Sequence, residues 1–134
     1  MSMLKYLLDT NIVSYTIKNK PAQVRERFRQ HDGQMAISSV SLGELVFGAE
    51  RSAQPEANLA VVEGFVARVE SLDFDAAAAH HFGQIRAELC RAGRPIGPYD
   101  MMIAAHARSR GLILVTNNTS EFERVAGLRL ENWA

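Results

Sequence analysis

Apolar residues recur along this chain in two rhythms, and the switch between them predicts its elements. Leu4, Tyr6, Leu7 and Leu8 form a short run apolar enough for a largely buried strand. Ile12, Val13, Tyr15, Thr16 and Ile17 then follow the three-and-four spacing of a helix. Lys18 to Lys20 and Pro21 break the pattern, and "PAQVRERFRQHDG" predicts a second helix with Pro21 near its start and Gly33 past its end. "MAIS" reads as a brief strand. In "SVSLGELVFGAERS" Leu42, Leu45, Val46 and Ala49 make one apolar stripe; in "PEANLAVVEGFVARVESL" Leu59, Val62, Phe65, Val66 and Val69 make another. Leu72 and Phe74 are expected in a short extended piece. Two further helices follow, "DAAAAHHFGQIRAELCRAG" closed by Gly93 and "PYDMMIAAHARSRG" with Pro98 in its first turn and Gly111 beyond its end; the loop "RPIG" joins them. "LILVT" is the plainest buried strand. "NNTSEFERVAG" is expected as a loop with one helical turn, and "LRLENW" as a short edge strand.

Strands alternating with helices over 134 residues predict a single α/β domain, residues 1–134, around a mostly parallel sheet. Neither repeats nor a linker interrupt it. The apolar fraction of 47% is ordinary for a globular protein, and no run approaches the roughly eighteen apolar residues of a membrane span. With the short N-terminal apolar run flowing straight into Asp9, the expectation is a cytoplasmic protein with no signal peptide. Fifteen basic and fifteen acidic residues cancel, which argues against a nonspecific nucleic-acid coat while leaving room for a local basic patch. Cys90 has no partner for an internal disulfide, and its place near a helix end predicts an incidental role. His31, His80, His81 and His106 lack zinc-site spacing and are expected to be structural.

The carboxylates carry the candidate chemistry. Asp9 leaves the first strand and Asn118 leaves "LILVT", so in a parallel sheet both lie at its carboxyl edge, where ligand sites gather. Asp100 shares a helix face with Ile103, Ala104 and Ala107 and points along the buried side at the helix start. Glu44 admits two readings: Ser41-x-x-Glu44 fits a capping box, and the same position lets Glu44 project toward Asp9. Asp9 likewise reads either as a helix cap or as part of a site. Three acids meeting in one pocket repel unless protonated or bridged by a cation, and oxygen-only ligands select a hard ion, Mg²⁺ or Mn²⁺. Such an ion suits phosphodiester hydrolysis.

"LLDTNIV", "SSVSLGEL", "PIGPYDMMIAAHA" and "LILVTNNTSEF" stand in the order and approximate spacing of PIN-domain ribonucleases, and nearly the whole chain resembles their VapC toxin branch. The resemblance implies an α/β/α sandwich, commonly dimeric, that cuts RNA with Mg²⁺ or Mn²⁺. Its acids fall on Asp9, Glu44 and Asp100, with Asp9 and Asp100 as primary metal ligands and Glu44 as a further ligand that orients water or acts as general base. Asn11 is expected to support Asp9 by hydrogen bonding, and Thr116 matches the hydroxyl at the end of the last core strand. Where many PIN domains carry a fourth aspartate this chain has Asn118, which implies one tightly held ion rather than two.

The same resemblance implies initiator tRNA, cut in its anticodon stem-loop, as substrate, and a VapB antitoxin that blocks the acidic pocket and alone contacts operator DNA. Arg25 and Arg29, and Arg86, Arg91 and Arg94 ahead of Asp100, are the basic residues best placed for RNA. The helices at 21–32 and 55–70 carry apolar residues, Val62 and Phe65 among them, expected to serve self-association and antitoxin docking. The alternative is a catalytically silent PIN-like module that binds RNA or protein, for which Asn118 is the support. A phosphoryl-transfer aspartate of the haloacid dehalogenase kind would need a second aspartate where Asn11 stands.

Overall fold

β1 (Tyr6–Leu8) runs into Asp9, and α1 (Thr10–Asn19) begins at the next residue. The structure is a computed structural model and describes residues 3–134; Met1 and Ser2, part of the expected domain span, lie outside the described residues. The chain continues through α2 (Ala22–Gln30), β2 (Met35–Ser38), α3 (Ser39–Glu50), α4 (Pro55–Val66), β3 (Glu70–Leu72), α5 (Ala76–Arg91), α6 (Pro98–Arg110), β4 (Ile113–Val115), α7 (Thr119–Phe122) and β5 (Leu130–Glu131). Every strand pairing is parallel, in the order β3-β2-β1-β4-β5. The chain winds outward from β1 to β3, then restarts on the other side at β4. Winding therefore reverses between β1 and β4, and the crevice beyond their carboxyl ends is where such sheets bind ligands.

Side chains alternate across the strands and separate two cores. Leu7, Ala36 and Leu114 face a cluster with Ile85 and Leu89 of α5, Ile103 and Ala104 of α6, and Phe122. Tyr6, Leu8, Ile37 and Val115 face the other way, onto Ile12 and Val13 of α1, Val24 of α2, Leu45 of α3 and Val62 of α4. The expected three layers are therefore formed: α1 to α4, sheet, α5 and α6. Each fully buried Leu, Ile or Phe contributes about 1.5–3 kcal/mol of apolar burial, which is what holds such short strands together.

α5 and α6 form an antiparallel pair. Arg108, near the end of α6, donates through Nε to His81 Nδ1 at 2.9 Å and through a terminal nitrogen to Gln84 Oε1 at 3.1 Å, one in the first half and one at the middle of α5. The last turn of α5 and the loop 92–97 thus lie beside the start of α6, where Asp100 stands. Gly111 ends α6 at φ 65°, a left-handed backbone that strains any residue with a Cβ.

Two expectations are corrected. The apolar stripe through Val69 overran α4, which stops at Val66; β3 begins at Glu70, and Leu72 belongs to it while Phe74 does not. Only Leu72 of the three β3 residues is buried, so the strand has no apolar alternation to announce it and exists because the outer edge of β2 supplies its partners. Val62 and Phe65 are engaged in packing rather than exposed: Val62 is buried in the core, and Phe65 sits edge-on to Phe28, 5.8 Å between centroids. The exposed apolar side chains nearby are Phe47 and Val61. Cys90 is exposed in the last turn of α5, as expected.

Candidate active site

Asp9 is completely buried where the winding reverses. Its Oδ2 accepts a hydrogen bond from the Thr116 hydroxyl at 2.9 Å, from the end of β4, while its Oδ1 has no partner. Asp9 occupies the N-cap position of α1, yet its side chain makes no cap bond, so capping does not account for it. A buried carboxylate with one unpartnered oxygen is unfavourable unless something else neutralises it. Burial, with the Glu44 charge adding to it, pushes the Asp9 carboxyl up to about 6 against the opposing pull of the Thr116 hydroxyl and the Thr10 and Asn11 amides.

Asp100 lies in the first turn of α6, half-buried, on the face that also carries the buried Ile103, Ala104 and Ala107. Burial, then the charge of Glu121, then Asp9 and Glu44, push its carboxyl up to about 7. Besides burial, the Glu44 charge raises both aspartates, while Glu121 and Asp9 add to the rise at Asp100. The crevice is thus a concentration of negative charge from four elements or their ends.

Glu44 is in this cluster and not in a capping box. α3 is capped by Ser38, whose hydroxyl accepts from the Val40 amide at 3.1 Å; Ser41 is a buried residue inside the helix. The Thr10 hydroxyl, at the start of α1, donates to Glu44 Oε1 at 2.8 Å and stands 2.9 Å from Ser41 Oγ. One hydroxyl has one proton, so with that proton on the carboxylate it is Ser41 that donates to Thr10. Behind this network His106, fully buried on α6, places Nδ1 2.8 Å from Ser38 Oγ. The helix carrying Asp100 is therefore tied to the cap of the helix carrying Glu44. Burial holds His106 below its usual range, and its Nε2 has no partner.

Three contributors had no claim from sequence alone. Glu121 is one: Asn118 Nδ2 donates to its Oε2 at 2.6 Å, the Gly97 amide donates to its Oε1 at 3.4 Å, and its charge acts on Asp100. Glu121 thus brings to the pocket the fourth acid that Asn118 lacks, and Asn118 holds it in place. Thr10 and Ser41 are the others, and the hydroxyl immediately after Asp9 was the available signal. Asn11 is exposed and acts on Asp9 through its backbone amide, while the side-chain bond to Asp9 comes from Thr116. The Thr116 oxygen also accepts from the Asn118 amide at 3.0 Å, which fixes the turn after β4.

The donor set fits a hard divalent cation. Oxygen ligands, mutual carboxylate repulsion and the unpartnered Asp9 Oδ1 all favour one. No three acidic side chains among the described residues close on a single point, so most of a bound ion's shell would be water, the usual state of Mg²⁺.

The arginines divide by position. Arg91 and Arg94 are exposed at the α5 end that adjoins Asp100, and the Arg124 guanidinium joins them by donating to the Pro95 carbonyl at 3.1 Å. Arg86 lies over the Phe82 ring at 6.0 Å. Arg29 pairs with Glu26 on exposed α2 and, with Arg25 one turn earlier, leads into the amino end of β2, away from the crevice.

An acidic crevice at the reversal of a parallel five-stranded sheet defines the class, and residues 6–128 match the PIN domain family. The chain belongs to that family and, within it, to the VapC ribonucleases. It is 70% identical over 132 residues to the tRNA(fMet)-specific endonuclease VapC of Shigella flexneri, covering 98% of this chain and 100% of that protein. Its structure matches a chain of the DNA-bound VapBC complex of Salmonella typhimurium with a TM-score of 0.96 and 61% identity, over 98% of this chain and 99% of the other. The VapBC2 complex of Rickettsia felis, bound to a promoter DNA fragment, matches with a TM-score of 0.93 and 37% identity, over 98% and 100%.

Proposed function

We propose that this chain is the toxin of a toxin–antitoxin pair, an endoribonuclease that hydrolyses initiator tRNA in its anticodon stem-loop under Mg²⁺ or Mn²⁺. The observation that carries the chemistry is the convergence of Asp9, Glu44, Asp100 and Glu121 on one crevice, with Asp9 Oδ1 unpartnered. The substrate follows from the tRNA(fMet)-specific relative at 70% identity.

Asp9 and Asp100 would hold the cation, directly or through water. When bound, it supplies the positive charge that lets a phosphodiester enter an acidic pocket and favours ionisation of the attacking water. Glu44, oriented by the Thr10 hydroxyl, lies within this cluster as the base that takes the water proton. Thr116 fixes the Asp9 carboxylate so that Oδ1 remains the free oxygen. Glu121, held by Asn118, neighbours Asp100 and sets its charge state.

A shallow groove of about 450 Å³ between α1, α3 and α4 opens at Glu44 and is lined by Ile17, Leu45, Val61 and Val62. With Phe47 exposed beside it, this groove suits the apolar segment of a VapB-type antitoxin, continuing to the acidic crevice that the antitoxin would block.

The test is cleavage of a total bacterial tRNA pool by antitoxin-free protein with Mg²⁺, with Mn²⁺ and with EDTA, beside Asp9→Asn. Cuts confined to initiator tRNA, abolished by EDTA and by the substitution, are expected. Metal-independent cuts, or equal cutting by the variant, would overturn the mechanism, and indifference among tRNAs would overturn the substrate.

A further inference from the structure

The chain has ten aromatic side chains, and only Phe47 and Tyr99 are exposed. Phe47 already lies under the Arg51 guanidinium at 5.6 Å. Tyr99 is 58% exposed, and among the described residues its ring meets no other ring or cation and its hydroxyl makes no hydrogen bond. It is the residue immediately before Asp100.

We propose that Tyr99 is a nucleobase platform, on which a base of the RNA next to the scissile phosphate stacks. The inference rests on the ribonuclease reading above and names how the substrate is seated. Pro98 opens α6 and fixes its first turn, and the buried face of Asp100, Ile103 and Ala104 holds the helix in place. Tyr99 therefore projects from a rigid position, about 100° around the helix axis from Asp100. Exposed Arg91 and Arg94, with Arg124 tethered to Pro95, lie at the same end and can follow the phosphates on either side.

Charge gives the reason for an aromatic ring here. The crevice repels the phosphate backbone, so seating a phosphate beside Asp100 needs an attraction that does not depend on charge. Stacking on a fixed ring supplies it, tolerates any base and is insensitive to salt. Conformational cost is small because a tyrosine has few torsions to immobilise.

The experiment compares wild type with Tyr99→Ala, Tyr99→Leu, Tyr99→Phe and Tyr99→Trp on an initiator-tRNA anticodon stem-loop, reading KM and kcat separately. Tyr99→Ala and Tyr99→Leu should lose about fivefold to a hundredfold in kcat/KM, mostly through KM, while the two aromatic variants stay near wild type. The salt dependence of binding should be unchanged in Tyr99→Ala and shallower in Arg94→Ala. An abasic site scanned through the loop should find one position where removing the base and removing the ring are not additive. A Tyr99→Leu variant equal to wild type, or a Tyr99→Phe variant as weak as Tyr99→Ala, would overturn the platform. So would a loss confined to capture of the antitoxin, which would make Tyr99 a protein contact. If wild type cuts no RNA the ribonuclease reading fails on its own. Binding of the same stem-loop carrying 2-aminopurine then still decides: fluorescence quenching that is identical in wild type and Tyr99→Ala excludes stacking.

Discussion

Asp9 and Asp100 illustrate how a site stores unfavourable electrostatics until its ligand arrives. Both carboxyls, pushed up to about 6 and about 7 from an ordinary 3.8, hold protons more readily folded than unfolded. Their protonation therefore stabilises the fold fully at low pH, and that contribution is lost as pH rises through about 6 and 7. In EDTA, the unfolding temperature should fall between about pH 4 and about pH 7, and Asp100→Asn should flatten the decline; a wild-type curve that rises over this window would contradict the assignment. Asp9→Asn and Asp100→Asn should stop cleavage with the circular dichroism spectrum unchanged, because removing one crowded carboxylate relieves repulsion. Asp9 and Asp100 were legible because they stand at the end of a strand and the start of a helix, and Glu44 because its helix begins shortly before it, directly after a strand. Glu121 was not, since its sequence neighbourhood is a polar loop and its role exists only through Asn118, Gly97 and Asp100.

At the scale of elements, one side chain joins two helices. Ser38 caps α3 and meets His106 of α6, so it bears on the relative placement of Glu44 and Asp100. Ser38→Ala should cost about 0.5–2 kcal/mol for the lost cap, more where His106 is left with both ring nitrogens unpartnered, read as a lower midpoint in urea denaturation. Cleavage should fall as well, without a change in metal requirement. Helix boundaries set by Pro98, Gly93 and Gly111 could be read directly, because those residues act through their own backbone. The α4–β3 boundary could not: Val69 continues the spacing of α4, and only pairing with β2 draws Glu70 to Leu72 into the sheet.

For the whole molecule, the two sides of α4 make opposite predictions. Both Val61 and Val62 line the groove that opens at Glu44, but Val62 is buried in the core whereas Val61 is exposed. Val61→Glu should leave the unfolding temperature and RNA cleavage close to wild type while weakening co-purification with the antitoxin. Val62→Glu should destabilise the fold severely, because it buries an unpaired charge. Loss of stability with Val61→Glu, or an unaffected complex, would show that the groove is not the docking surface.

The sequence by itself determined the elements that depend on near neighbours: strands from apolar runs, helices from three-and-four spacing, their ends from proline and glycine, and hence a parallel α/β architecture. It also marked Asp9, Glu44 and Asp100, because the edge of such a sheet can be inferred from where strands stop. Only the tertiary structure decided what depends on distant partners. The Thr116 bond to Asp9, the Thr10 bond to Glu44 and the recruitment of Glu121 by Asn118 join residues that no local pattern relates. Local periodicity records which face of an element is apolar; which polar atoms meet across 34 or 107 residues is settled only when the layers pack.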